Sequence, residues 1–188
     1  MSINVLVIPE DPTYDGYILK PLVEAMLKAI GKPNARVTVL TNPHLKGFDD
    51  ALKAIRTDLP DRYGFWDLWL FFPDADRATT AAMEALEHDL AEKGIRLFCC
   101  PAQPEVEIYA CAPWRKEIGN AWNEVRTHPK MKEKIFEPLL AEHGDSLRPG
   151  GGRDLFITKA LANLPALYQL CPELDNLRAR LADALNPQ

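Results

Sequence analysis

Apolar positions fall first in short unbroken runs and later in stripes of helical spacing. Ile3 to Ile8 (INVLVI) is almost continuously apolar, which predicts a strand buried on both faces. Ile18, Leu22, Met26 and Ile30 then fall four apart, with Leu19, Val23 and Leu27 in the adjacent row. That pattern predicts an amphipathic helix stopped by Gly31 and Pro33. Arg36 to Leu40 (RVTVL) predicts a second strand, and Phe48 to Leu59 a weaker helix closed by Pro60. Trp66 to Phe72 (WDLWLFF) predicts a third strand, rich in aromatics. A helix follows over Thr79 to Lys93, with Met83, Leu86 and Leu90 on one face and Gly94 beyond its end. Ile95 to Cys100 (IRLFCC) predicts the fourth strand. Strand–helix alternation with short links implies a Rossmann-like α/β fold: a mostly parallel four-stranded sheet with helices on both faces. Ligands of such sheets bind beyond the carboxyl ends of the strands.

From Pro104 the pattern is helical and more polar. Lys130 to Lys134 (KMKEK) is locally basic, and Arg148 to Arg153 (RPGGGR) is rich in glycine. Two helices are predicted over Asp154 to Leu164 and Glu173 to Leu185, the second carrying a stripe of Leu174, Leu177, Leu181 and Leu185. The expected organisation is an α/β core over residues 1–112. A helical carboxyl-terminal extension, 113–188, packs on the same domain. No internal repeat is present.

Composition narrows the function. The chain has 188 residues, 47% of them hydrophobic, which suits one globular domain. Lys and Arg total 22 against 27 Asp and Glu, a net charge of −5. That balance disfavours an unaided, sequence-independent grip on a long nucleic acid. No apolar run reaches the length of a membrane span, and the amino terminus lacks a leader pattern, so a cytoplasmic protein is expected. Cys99, Cys100, Cys111 and Cys171 show no C-x-x-C spacing, so neither a zinc site nor a thioredoxin-type motif is indicated. Cys99 and Cys100 are expected as core thiols. His44, His88, His128 and His143 show no zinc-hydrolase spacing, and Ser2 and Ser146 sit in no nucleophile elbow.

Two predicted strands run into carboxylates: Pro9-Glu10-Asp11-Pro12 after the first and Pro73-Asp74-Ala75-Asp76 after the third. Residues two apart in an extended segment point the same way, so Asp74 and Asp76 are expected to converge. Glu10 joins them if the two strands are neighbours. Three carboxylates at one point raise one another's pKa unless a cation neutralises them, and all-oxygen ligands favour Mg²⁺ or Mn²⁺. The competing reading makes these residues turn formers and helix caps, with Asp76 preceding a helix.

The order strand–Glu–helix, strand–Asp-x-Asp–helix resembles the TOPRIM fold of topoisomerases, primases and OLD-family nucleases. More narrowly, the chain resembles the DUF4276 group of TOPRIM-like proteins. Val7 to Asp15 (VIPEDPTYD), Leu70 to Arg77 (LFFPDADR), Cys100 to Tyr109 (CPAQPEVEIY) and Lys159 to Leu177 carry the resemblance. Asp11 stands where that group usually has Gly, Tyr14 replaces an acidic residue, and Tyr109 stands where Trp is frequent. The resemblance implies a Mg²⁺- or Mn²⁺-dependent phosphodiester hydrolase, a nuclease, serving in phage defence beside an ATPase partner. Glu10, Asp74 and Asp76 would then be catalytic metal ligands. Glu107 would complete a second metal site by analogy with OLD nucleases, with Glu105 less favoured. Lys159 would neutralise the scissile phosphate.

Each of these residues has a plainer reading. Glu105 and Glu107 suit a helix start after Pro104, and Lys159 a solvated helix surface. Arg148 and Arg153 flank glycines whose N–H groups could face phosphate, although a flexible loop explains them as well. Trp66 and Trp69 are expected in the core. Two other functions compete. One is a catalytically inactive TOPRIM-like interaction module; the other is a D-x-D metal-dependent nucleotide-sugar transferase. A haloacid-dehalogenase-type phosphatase expects its D-x-D on the first strand, which this chain lacks.

Overall fold

The structure is a computed structural model that describes residues 2–186. The chain runs β1 (Asn4–Pro9), α1 (Gly16–Ala29), β2 (Arg36–Val39), α2 (Phe48–Thr57), α3 (Leu59–Tyr63), β3 (Leu68–Phe72), α4 (Thr80–Glu92) and β4 (Leu97–Cys99). It continues through α5 (Glu107–Cys111), α6 (Arg115–Ile118), α7 (Trp122–Arg126), α8 (Glu137–His143), α9 (Arg153–Leu161), α10 (Leu164–Leu170) and α11 (Pro172–Leu185). A π-helical turn, Lys132–Phe136, leads into α8, and a 3₁₀ turn, Pro149–Gly152, leads into α9.

The four strands form one parallel sheet in the order β2-β1-β3-β4. Alternate residues of each strand enter separate cores, because helices cover both faces. Val5, Val7, Leu68, Leu70 and Phe72 meet α1, α5, α9 and α11. Leu6, Ile8, Trp69, Phe71, Leu97 and Cys99 meet α2, α3 and α4. The first core runs on through Phe136, Phe156, Leu174 and Leu181, so the carboxyl-terminal helices share it with the sheet.

Several boundaries differ from the sequence pattern: β3 begins at Leu68 rather than Trp66, β4 spans Leu97–Cys99 rather than Ile95–Cys100, and two helix ends shift for identifiable reasons. Pro60 does not merely close a helix: it occupies the first turn of α3, where its missing N–H costs no hydrogen bond. The helix expected over Asp154–Leu164 ends at Leu161. Asn163 then caps α10, accepting from the Ala166 N–H at 3.2 Å. Cys99 and Cys100 are buried as expected; Trp69 is fully buried and Trp66 only partly.

The sheet order places a topological switch between β1 and β3. The chain leaves β1 toward β2 on one side and returns to the other side as β3. Pro9 pairs with Phe72, so these neighbouring strands end level with each other. Their next residues open the crevice in which α/β sheets bind ligands. No helix among the described residues is long and apolar enough to cross a membrane.

Candidate functional site

Glu10 and Asp74 meet at that switch point. The Asp74 N–H donates to Glu10 Oε2 at 3.0 Å, tying one strand end to the other. Beyond β3 the backbone stays extended for two residues and pairs with the segment after β4. Ala102 N–H donates to the Pro73 carbonyl at 2.8 Å, and Ala75 N–H to the Ala102 carbonyl at 3.0 Å. This pairing brings the Gln103-to-Glu107 stretch beside Asp74, and Glu105 and Glu107 join the cleft. The cleft measures about 280 Å³ and is lined by Glu10, Asp11, Asp15, Asp74, Glu105, Glu107 and Lys132, with His44, Lys46 and Gly47 on the β2–α2 side.

Electrostatics follow from six carboxylates around one space. Burial, reinforced by Glu10, Glu105, Glu107 and Asp76, pushes the Asp74 carboxyl up to about 8. Burial and Glu107 push Glu105 up to about 7. Asp15, 4% exposed, is held well above the usual carboxylate range, first by burial and then by Glu107. Asp15 sits at the start of α1 but caps nothing there; its Oδ2 accepts the Asp11 N–H at 3.2 Å. Asp11 replaces a glycine-dependent turn by another device: its Oδ1 accepts the Thr13 N–H at 2.8 Å. No described non-glycine residue has positive φ, so this turn needs no left-handed residue.

One lysine reaches into the carboxylates. Lys132 Nζ stands 2.8 Å from Oε1 of Glu107, a side chain only 2% exposed. This ion pair sets a cation directly against a carboxylate that the fold buries. The Lys132 backbone N–H donates to Glu105 Oε1 at 2.7 Å. Burial alone lowers the Lys132 ammonium, but Glu107, then Asp15 and Asp11, outweigh it and raise it.

Two candidates stand elsewhere. Asp76 is exposed in a turn and does not line the cleft, contrary to the expected convergence with Asp74. The extended geometry ends at Ala75, whose N–H bonds to both the Ala102 and Pro104 carbonyls and starts the turn. Asp76 does not cap the next helix either: Thr79 does, accepting from the Ala82 N–H. Lys159 is exposed on α9, its Nζ 3.4 Å from the Trp114 ring centroid. It lines a separate groove of about 540 Å³ with Lys116, Glu117 and Asn163. That groove is larger, but it gathers no cluster of carboxylates. Asp15 and Lys132 are cleft residues that sequence reasoning did not assign, although both lie in segments it singled out; His44, Lys46 and Gly47 on the β2–α2 side were not assigned either.

The donor set is all oxygen, which suits a hard divalent ion. Among the described residues, however, no three His, Cys, Asp or Glu side chains stand together at metal-holding distance. Comparisons with protein-family models, with curated proteins and with solved structures find no match to the chain.

Proposed function

We propose that the protein is a Mg²⁺- or Mn²⁺-dependent phosphodiester hydrolase, a nuclease of the TOPRIM type. The observation that supports this most is the meeting of Glu10 and Asp74 on adjacent strand ends, inside a cleft with four further carboxylates. Such a cluster opposes its own ionisation and gains most from a cation. Glu10 and Asp74 would hold the ion, with Glu105, Glu107 or Asp15 turning in, since the side chains as placed do not converge. A bound divalent ion would supply charge neutralisation at phosphoryl oxygens. The protein's own groups do the rest. The raised Asp74 carboxyl is a group whose ionised form a bound cation would favour, and Lys132 balances Glu107 at the cleft wall. Lys159, which the resemblance would set against the scissile phosphate, lines a separate groove and takes no part in this reading. That resemblance extends the proposal to phage defence in the cytoplasm beside an ATPase partner, whose grip on nucleic acid the net charge of −5 leaves unfilled.

A second reading, an inactive interaction module, is favoured by one observation. Glu10 already serves the fold by accepting the Asp74 N–H. The transferase reading loses its support, because Asp76 lies outside the cleft. Thermal melting with and without millimolar Mn²⁺ and Mg²⁺ separates the readings, since a ligand of the folded state raises the midpoint. The expected result is a rise in the wild type that Asp74→Ala abolishes. No rise in the wild type, or one that survives Asp74→Ala, sinks the metal site at Asp74 and leaves the module.

A further inference from the structure

The glycine-rich segment before α9 has no part in the carboxylate cleft. Gly150, Gly151 and Gly152 hold φ of 64°, 64° and 91°, a left-handed run suited to glycine alone. Space enforces the choice as well. A Cβ on Gly150 would stand 2.6 Å from Tyr17 Cγ, and one on Gly152 would stand 2.6 Å from the Asp145 nitrogen. The loop therefore lies tight against α1 and delivers Arg153, the first residue of α9, inward.

Arg153 is 6% exposed. Its guanidinium lies 4.2 Å from the Tyr14 ring centroid and 5.3 Å from that of Phe136. Nη1–H donates to the Gly150 carbonyl at 2.9 Å, while Nε–H is buried without a partner. The adjacent carboxylate, Asp154, is taken by Arg148 through bonds of 3.0 and 2.7 Å. Among the described residues Arg153 has no ion-pair partner. A buried guanidinium without a counter-ion is costly, and stacking on rings offsets only part of that cost.

Arg153 walls a cleft of about 410 Å³ with Tyr14, Leu140, Ala141, Ser146 and Gly151, with exposed Glu137 also on its lining. Tyr14 lines this cleft and the next residue, Asp15, lines the carboxylate cleft, so one turn separates the two. The π-helical turn links them too: Lys132 enters the carboxylate cleft, and the Phe136 ring lies against Arg153. Tyr14 and Tyr17 are both about two-fifths exposed, Tyr14 with its ring against the guanidinium and Tyr17 beside Gly150.

We propose that the Arg153 cleft is a subsite for a phosphate oxyanion, occupied by a backbone phosphate of a nucleic-acid strand that continues over Tyr14 to the carboxylate cleft. The guanidinium supplies charge and a planar donor fork, and the phosphate supplies the counter-ion that the protein lacks. The identity of the strand rests on the phosphodiesterase reading; the anion site does not.

The test uses the full chain in chelator-containing buffer at fixed ionic strength, where no hydrolysis confuses binding. Inorganic phosphate and a short oligothymidylate are titrated by calorimetry against wild type, Arg153→Gln and Ala141→Glu. Ala141 is exposed on α8 and lines the cleft, so Ala141→Glu places a negative charge there without opening the core. Wild type is expected to bind both probes, the oligonucleotide more tightly, and each variant to weaken both by about tenfold or more. Absence of binding to wild type, or binding untouched by Ala141→Glu, overturns the subsite. Phosphate binding without oligonucleotide binding overturns the strand and leaves a free-phosphate site. Mn²⁺ stabilisation of the same variants separates the two claims. Its survival without phosphate binding refutes the subsite alone, and its absence with phosphate binding intact refutes the metal reading alone.

Discussion

Glu107 is a buried carboxylate whose neutralisation depends on Lys132. Removing one partner of a buried pair leaves an uncompensated charge, so Lys132→Met should destabilise the fold by about 3–5 kcal/mol at neutral pH. Adding Glu107→Gln should recover most of that loss; a denaturant-melt cycle checks the coupling. Asp74 makes a pH prediction. Its folded value, about 8, lies above the ordinary 3.8, so the native state binds this proton more tightly than the unfolded chain. The resulting stability is present at low pH and is lost as pH rises through about 8. Metal-free protein should therefore weaken from about pH 4 to 8, by at most about 1.4 kcal/mol per pH unit for this proton. Asp74→Asn should give a shallower profile and a higher melting midpoint than wild type at pH 8. Identical profiles would mean that Asp74 does not carry the repulsion. Glu10 and Asp74 were legible because each follows a proline at the end of an unbroken apolar run. Asp15 and Lys132 were not, since an Asp before a helix looks like a cap and a lysine within KMKEK looks solvated. Only tertiary contacts bury them.

At the scale of elements, β4 shows how an edge strand is finished. Its outward Cys99 N–H donates to Glu87 Oε1 on α4 at 2.6 Å, and Arg180 on α11 pairs with the same carboxylate. The exposed edge is thereby satisfied by side chains rather than left open to another strand. Glu87→Ala should strand both the N–H and the guanidinium and cost about 1–3 kcal/mol, whereas Glu87→Gln should retain an acceptor and cost less. Denaturant midpoints of the two variants decide this; equal losses would show that charge, not the Cys99 hydrogen bond, governs the edge. The strands were legible from continuous apolar runs, and α1, α4 and α11 from stripes spanning three or more turns. The elements from α5 to α8 have only four to seven residues each, too few to show a helical period. The π-helical turn is invisible to pattern altogether, yet it sets both Lys132 and Phe136 in place.

For the whole molecule, the question is whether the α/β part stands alone. The sequence pattern divides the chain near residue 112, but the core on the α1 side does not respect that division. Leu19, Leu22 and Met26 belong to one buried cluster with Phe136, Phe156, Ile157, Leu174, Leu177 and Leu181, all from beyond it. A fully buried Leu, Ile or Phe contributes about 1.5–3 kcal/mol. Loss of those six partners would remove roughly 9–18 kcal/mol, comparable with the entire stability of a typical domain, about 5–15 kcal/mol. A fragment of residues 1–112 should therefore be unfolded or aggregated in solution, with no cooperative melt. It should also lose the Lys132 and Arg153 walls of both clefts. Adding the separate 113–188 fragment should restore cooperative unfolding if the shared core drives assembly. A 1–112 fragment that melts cooperatively by itself would show instead that the second core, around Phe48, Trp69 and Leu86, suffices to hold the sheet. The carboxyl-terminal segment is on this argument part of the fold that builds both clefts, since it supplies Lys132 to one and the buried Arg153 to the other.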